Sequence, residues 1–145
     1  MTIKIDFGSG YNPLPGYKKC DITNSPSLDY FFDLNIYRII NCEDNSVDEI
    51  CCKNVLHHVR DIRRLFFEFR RILRPGKILK IVEPTREAFP ANVFLDFLWY
   101  RGIIYRPEVW FSNVYRNYHK DLEEIVGSHI IMRIEEKETT ICLRR

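Results

Sequence analysis

The residues able to do chemistry in this chain are a short glycine loop, carboxylates spaced along it and a histidine pair. The loop is Asp6-Phe7-Gly8-Ser9-Gly10, and it follows a run with the alternation of a strand. Glycine there lets backbone approach a ligand closely. Asp21 and Asp33 each end a further apolar run. A carboxylate at the end of a second strand accepts the ribose hydroxyls of a nucleoside in dinucleotide folds, and one at the end of a third is placed to accept from an adenine amino group. His57-His58 and Glu83 follow or end later runs and are the candidates for a general base. Taken singly, each has a plainer meaning: G-x-G occurs in many turns, and Asp21 and Asp33 also read as turn or cap residues.

These side chains need strands that end together. Ile3 to Phe7, Lys18 to Ile22, Tyr30 to Leu34, Val47 to Cys52 and Ile78 to Val82 have the alternation or apolar density of strands. Between the last two, Ile62, Leu65, Phe66, Phe69, Ile72 and Leu73 recur on one helical face, with Asp61 as the N-terminal cap and Pro75-Gly76 as the stop. Residues 91–100 read as a further helix and Lys120 to Val126 as another, closed by Gly127. His129 to Ile134 and Thr139 to Leu143 alternate about a polar turn, the pattern of an antiparallel hairpin. The expected fold is α/β: a Rossmann-like, mostly parallel sheet ending in an antiparallel C-terminal hairpin. Asp21 lies only fifteen residues after Asp6, with Pro13 and Pro15 between them, and Asp33 follows twelve later. Crossover helices are therefore short or absent in both links, which leaves one sheet face under-covered.

Composition sets the outer limits. The 145 residues suit one domain, with 46% apolar and 29% charged residues and a net charge of +2. Arg60, Arg63, Arg64, Arg70, Arg71 and Arg74 make the central helix basic. With so small a net charge they read as a solvated face, and nucleic acid is not the expected partner. The five cysteines include no C-x-x-C pair, which points to reduced, buried thiols in a cytoplasmic protein and to no metal site. No signal-peptide pattern opens the chain, and no apolar run reaches the roughly 18 residues of a membrane span.

The passage from Asp44 to Gly76 carries a resemblance. Asp44-Asn45-Ser46-Val47-Asp48-Glu49-Ile50, Val55-Leu56-His57-His58-Val59 and Arg71-Ile72-Leu73-Arg74-Pro75-Gly76 look like the D-x-S-[FV]-D-x-I, V-L-x-H-V and R-[IV]-L-[KR]-P-G segments of class I S-adenosylmethionine-dependent methyltransferases. The subgroup they resemble is the small, type-11-like one, and the matches run in register over about residues 3 to 84. What the resemblance implies is specific. Gly8, Ser9 and Gly10 would wrap the methionine part of S-adenosyl-L-methionine, Asp6 supporting the loop and Asn12 standing where a third glycine is usual. Asp21 would take the ribose hydroxyls, with Ile22 on the adenine and Asp33 and Leu34 at its edge. Cys52, Lys53 and Asn54 would line the sulfonium region, and His58 reads as a helix-start histidine.

The resemblance divides the chain into a cofactor half, residues 1–84, an aromatic-rich segment, 85–118, and a closing helix and hairpin, 119–145. In the family the middle segment often builds the acceptor site. Here it is an acceptor pocket or lid, the filling of space left by missing helices, or a homodimer contact, which the bare sheet face would also serve. The expected activity is methyl transfer to a small-molecule acceptor, with His57 or Glu83 as candidate catalytic groups. The alternative is a catalytically degenerate cofactor-binding interaction module. A nicotinamide oxidoreductase fits less well, because Pro13 breaks the G-x-G-x-x-G pattern.

Overall fold

A computed structural model describes residues 1–23, 26–84, 120–135 and 138–145. The aromatic-rich segment and the helix expected at 91–100 lie outside the described residues, as does most of the turn between the last two strands. Eight strands form one sheet: β1 Lys4–Phe7, β2 Lys18–Asp21, β3 Tyr30–Asp33, β4 Arg38–Ile40, β5 Val47–Lys53, β6 Leu73–Pro84, β7 Ser128–Ile134 and β8 Glu138–Arg144. Their order is β4-β3-β2-β1-β5-β6-β8-β7. The pairs among β3, β2, β1, β5 and β6 are parallel, while β4, β8 and β7 pair antiparallel. The Rossmann-like sheet and its C-terminal hairpin are as the sequence pattern predicts. The chain leaves β1 toward β2 and β3, then returns to β5 on the other side, so β1 and β5 flank the topological switch where open α/β sheets bind ligands.

The helix α1, Ile62–Ile72, is the crossover from β5 to β6. Asp61 caps it, accepting the Arg64 N–H through Oδ1 at 3.1 Å. Its buried face (Ile62, Leu65, Phe66, Phe69 and Ile72) meets Ile5, Phe7, Ile50 and Leu79 of the sheet in a single buried cluster. Phe7 sits edge-on to Phe69 at 4.9 to 5.0 Å from both Phe69 and Phe32, the geometry aromatic quadrupoles favour. A second helical run, 120–125, adds Leu122, Ile125 and Val126 to the same cluster. Most of the arginines of α1 and Arg74 just after it are engaged internally. Arg63 pairs with Asp121, Arg70 donates to the carbonyls of Ile125 and Val126, Arg71 pairs with Glu68 and Asp44, and Arg74 pairs with Asp48.

Two details depart from the sequence pattern. The strand β4 was not expected: it is three residues long, too short to show a period. It is held by a buried carboxylate, since Glu68 Oε1 accepts the Ile39 N–H at 2.7 Å while Arg71 grips Glu68 at 2.6 and 2.7 Å. The strand β6 begins at Leu73, directly after the helix, rather than at Ile78. Pro75 and Gly76 ride in an irregularity, because Val47 faces Leu73 but Glu49 faces Ile78.

Among the described residues, no helix links β1 to β2 or β2 to β3. The proline loop lies instead across the sheet face opposite α1. Asp6 points to that face and accepts the Leu14 N–H at 2.9 Å. Tyr17 donates its hydroxyl to Glu49 at 2.5 Å, and Lys4 pairs with Glu49 at 2.8 Å. Cys51 faces this side, whereas Cys52 faces α1, so the two neighbouring thiols occupy opposite faces. All five cysteines are free thiols. No helix among the described residues is long and apolar enough to cross a membrane.

Phe69 is fully buried between the sheet and α1. Phe69→Ala is expected to lower unfolding free energy by about 3–5 kcal/mol, read from the urea midpoint at constant m-value.

Candidate functional site

A cleft of about 220 Å³ opens over the carboxyl ends of β1, β2, β3 and β5. Phe7 and Gly8 come from the end of β1, Asp21 and Ile22 from β2, Phe32 and Leu34 from β3. The turn after β5 supplies Asn54, Val55, His58 and Val59. The floor is apolar, through Phe7, Phe32, Val55 and Val59. Ile22 and Leu34 form an apolar rim and are 50% and 40% exposed, which is unusual for such side chains unless something covers them.

The loop after β1 is tightly tied. The Gly8 and Ser9 N–H groups donate to the Cys20 carbonyl at 2.8 and 3.3 Å. Gly10 donates to Asp21 Oδ2 at 2.8 Å. Asp21 Oδ1 accepts the Ile22 and Thr23 N–H groups at 2.7 and 3.3 Å. Asp21 therefore clamps the glycine loop to the end of β2 and, lining the cleft, keeps one acceptor site spare on Oδ2. Gly8 has φ 74°, and a Cβ there would lie 2.3 Å from Val55 Cγ2. Only glycine allows so close an approach between the ends of β1 and β5. Ser9 is buried, and its Oγ has no hydrogen-bond partner. A buried hydroxyl left unpaired is costly, and Ser9 lies beside the cleft rather than among its lining residues.

The expected cofactor residues separate into groups. Gly8, Asp21, Ile22, Leu34 and Asn54 line the cleft. Asp6, Ser9 and Gly10 build the loop, but from behind or beside it. Burial is the main cause holding the Asp6 carboxyl above its usual range, against the lowering effect of the Leu14 N–H. Asn12 is exposed in the proline loop. Asp33 turns its carboxylate to Asn35, accepting its backbone and side-chain N–H groups at 2.8 and 3.0 Å. Cys52 is buried under α1, where burial pushes its thiol well up, and Lys53 is exposed on the other face. Asn54 has φ 54° and turns the chain out of the ladder.

Of the catalytic candidates, the side chain of His57 lies outside the described residues, whereas His58 lines the cleft. Glu83 is fully buried, and its Oε1 accepts the N–H groups of Val55 and Leu56 at 2.8 and 2.7 Å. Phe7, Val55 and Val59 stand inside the glycine loop and the V-L-x-H-V segment, but the motifs alone give them no place in the site, and Phe32 belongs to no motif.

Residues 10–81 match the methyltransferase domain family. The match begins at Gly10, so Asp6, Gly8 and Ser9 precede it. In fold, the chain resembles a Methanococcus maripaludis protein assigned as an S-adenosyl-L-methionine-dependent methyltransferase, with TM-score 0.63 and 18% identity, covering 100% of this chain and 78% of that one. It also resembles a SAM-dependent methyltransferase from Aquifex aeolicus, with TM-score 0.63 and 15% identity over 98% of this chain and 81% of that one. A third similar structure is Haemonchus contortus phosphoethanolamine N-methyltransferase 2 in complex with S-adenosyl-L-methionine. Its TM-score is 0.54 and its identity 14%, over 93% of this chain and 35% of that one. At such identities the likeness is one of fold. No curated protein sequence matches the chain.

Two variants test the loop. Gly8→Ala forces a methyl into Val55 at a positive φ and is expected to lower the melting temperature by several degrees, at about 1–3 kcal/mol. Asp6 has its pKa raised in the fold, so its ionised form opposes folding. That cost is present above the folded pKa and fades as pH falls through it. Asp6→Asn keeps an acceptor for Leu14, so at pH 7 it is expected to unfold at no lower denaturant than wild type, and with less gain in stability on acidification.

Proposed function

We propose that this chain, with a methyltransferase-domain sequence over residues 10–81 on a class I methyltransferase fold, binds S-adenosyl-L-methionine in the cleft above β1, β2, β3 and β5 and transfers its methyl group to a small-molecule acceptor. One observation carries the reading. A glycine loop, an acid at the end of β2 and an exposed apolar rim surround the same cleft.

The residues suit the parts of such a ligand. Ile22 and Leu34 offer apolar surface on which a purine ring packs, and covering them removes that surface from water. Asp21 has one acceptor site left on Oδ2 for a ribose hydroxyl after holding Gly10, Ile22 and Thr23. When bound, the cofactor supplies a methyl group on a sulfonium, open to in-line displacement. The chain's task is then to orient the acceptor and keep water away. His58 is the described titratable side chain on the cleft wall after β5, and His57 is adjacent in sequence. Either is suited to take a proton from an acceptor that carries one. Glu83 spends an oxygen on two backbone N–H groups, which favours a supporting part for it over proton transfer.

A second reading is a cofactor-binding domain without turnover. The tethering of the Gly8, Ser9 and Gly10 N–H groups within the protein favours it, because a ligand anion would find them engaged.

Calorimetric titration is expected to show binding of both S-adenosyl-L-methionine and S-adenosylhomocysteine. Asp21→Ala is expected to weaken either by about tenfold or more, since it removes the ribose acceptor and frees the loop. Absence of binding to both nucleosides contradicts the proposal. Binding without methyl transfer to any of a broad panel of small acceptors selects the second reading.

A further inference from the structure

We infer that Glu83 is a positioning residue for the cofactor wall, acting through the backbone of the turn after β5 rather than on the reacting atoms. The inference rests on the cofactor reading above. Three consecutive amides leave β5 at this point. The Asn54 N–H still continues the ladder, donating to the Val82 carbonyl at 2.9 Å. Asn54 then adopts φ 54° and turns the chain away, so the next two amides have no strand beside them. Glu83 collects both: its Oε1 accepts from Val55 at 2.8 Å and from Leu56 at 2.7 Å, with the side chain fully buried.

The position of these amides matters because of what they carry. Val55 is the side chain against which Gly8 packs, at a distance no β-carbon would survive. Val55, His58 and Val59 line the cleft within one short turn, whose 3-10 core is Leu56–His58. Leu56 and Val59 anchor the turn in the core by their side chains, but its own backbone bonds are few. The Val55 side chain makes no cap, and the turn's internal backbone bonds are those of His58 to Val55 and Val59 to Leu56. A carboxylate reaching from the end of β6 thus sets where the turn stands relative to the glycine loop. One buried oxygen accepting two N–H groups at 2.8 and 2.7 Å fixes their position by its reach. Glu83 itself is held in place by the β6–β8 ladder, opposite Thr139.

The test crosses charge against reach. Glu83→Gln loses the charge but keeps an acceptor oxygen at the same distance. Glu83→Asp keeps the charge but draws the carboxylate back by one methylene. Titration with S-adenosylhomocysteine is expected to give a Kd for Gln within about threefold of wild type and a Kd for Asp about tenfold weaker. Amide hydrogen exchange without ligand is expected to speed up at Val55 and Leu56 in the Asp variant only, with α1 and β1 still protected. On any acceptor that wild type methylates, Gln is expected to keep its turnover. Loss of turnover by Gln with unchanged binding would place Glu83 at the reacting atoms and overturn the inference. Unchanged affinity and exchange in the Asp variant would also overturn it. A wild-type protein that binds no S-adenosylhomocysteine overturns the cofactor reading and this inference together, and that result is seen before any variant is made.

Discussion

The site hangs on how closely the loop after β1 approaches the turn after β5. β1 and β5 are neighbours in the sheet, paired in parallel from Lys4–Glu49 to Phe7–Cys52, so their continuations must either collide or interleave. Gly8 removes the collision by having no side chain, and Val55 fills the space that a Cβ would take. The cleft exists because both chains then turn outward, one through Gly8 at φ 74° and the other through Asn54 at φ 54°. Apolar contact presses the two together. Asp21 and Glu83, reaching in from β2 and β6, tie each to the sheet.

The rest of the fold makes that arrangement possible with few helices. A parallel strand pair usually needs a crossover of a dozen or more residues. Here β1 and β2 are joined by a proline-rich loop in extended and turn conformations, fastened by Asp6 to Leu14 and by Tyr17 to Glu49. Burying Asp6 costs desolvation, which the Leu14 bond offsets only in part. On the other face α1 and the 120–125 run supply the apolar cover, with Phe69 against Phe7 as its centre. The molecule is thus well packed on one side, and on the other is fastened among its described residues by polar side chains.

Much of this was legible in the sequence, and the reasons for the rest are physical. The passage from Val47 to Gly76 has strong periods at both scales, and β5 and α1 lie where those periods place them. The short links were legible from Pro13, Pro15 and the spacing of Asp6, Asp21 and Asp33. The strand β4 was not, because three residues show no period and its anchor, Glu68, lies 29 residues from Ile39. In the site, acids at strand ends were easy to see, but which way each one faces was not. Asp21 lines the cleft while holding the glycine loop, whereas Asp33 bonds only its own turn among the described residues. That Phe7, Phe32, Val55 and Val59 form the apolar floor was not legible, even where they sit in a motif, since an apolar residue reads the same whether it faces core or ligand. From its place at a strand end Glu83 reads as a possible base. Its tie to Val55 and Leu56 is a contact between segments 27 and 28 residues apart, which spacing alone does not reveal.

The central claim is that a sulfur nucleoside occupies the cleft over β1, β2, β3 and β5. Amide chemical-shift mapping of the labelled protein during titration with S-adenosylhomocysteine tests it most directly. Occupation of the cleft predicts the largest shifts at Gly8 to Gly10, Asp21 to Thr23, Leu34 and Asn54 to Val59, with the far end of the sheet at Val47 and Leu73 unmoved. Saturable shifts centred elsewhere, or none at all, would contradict it.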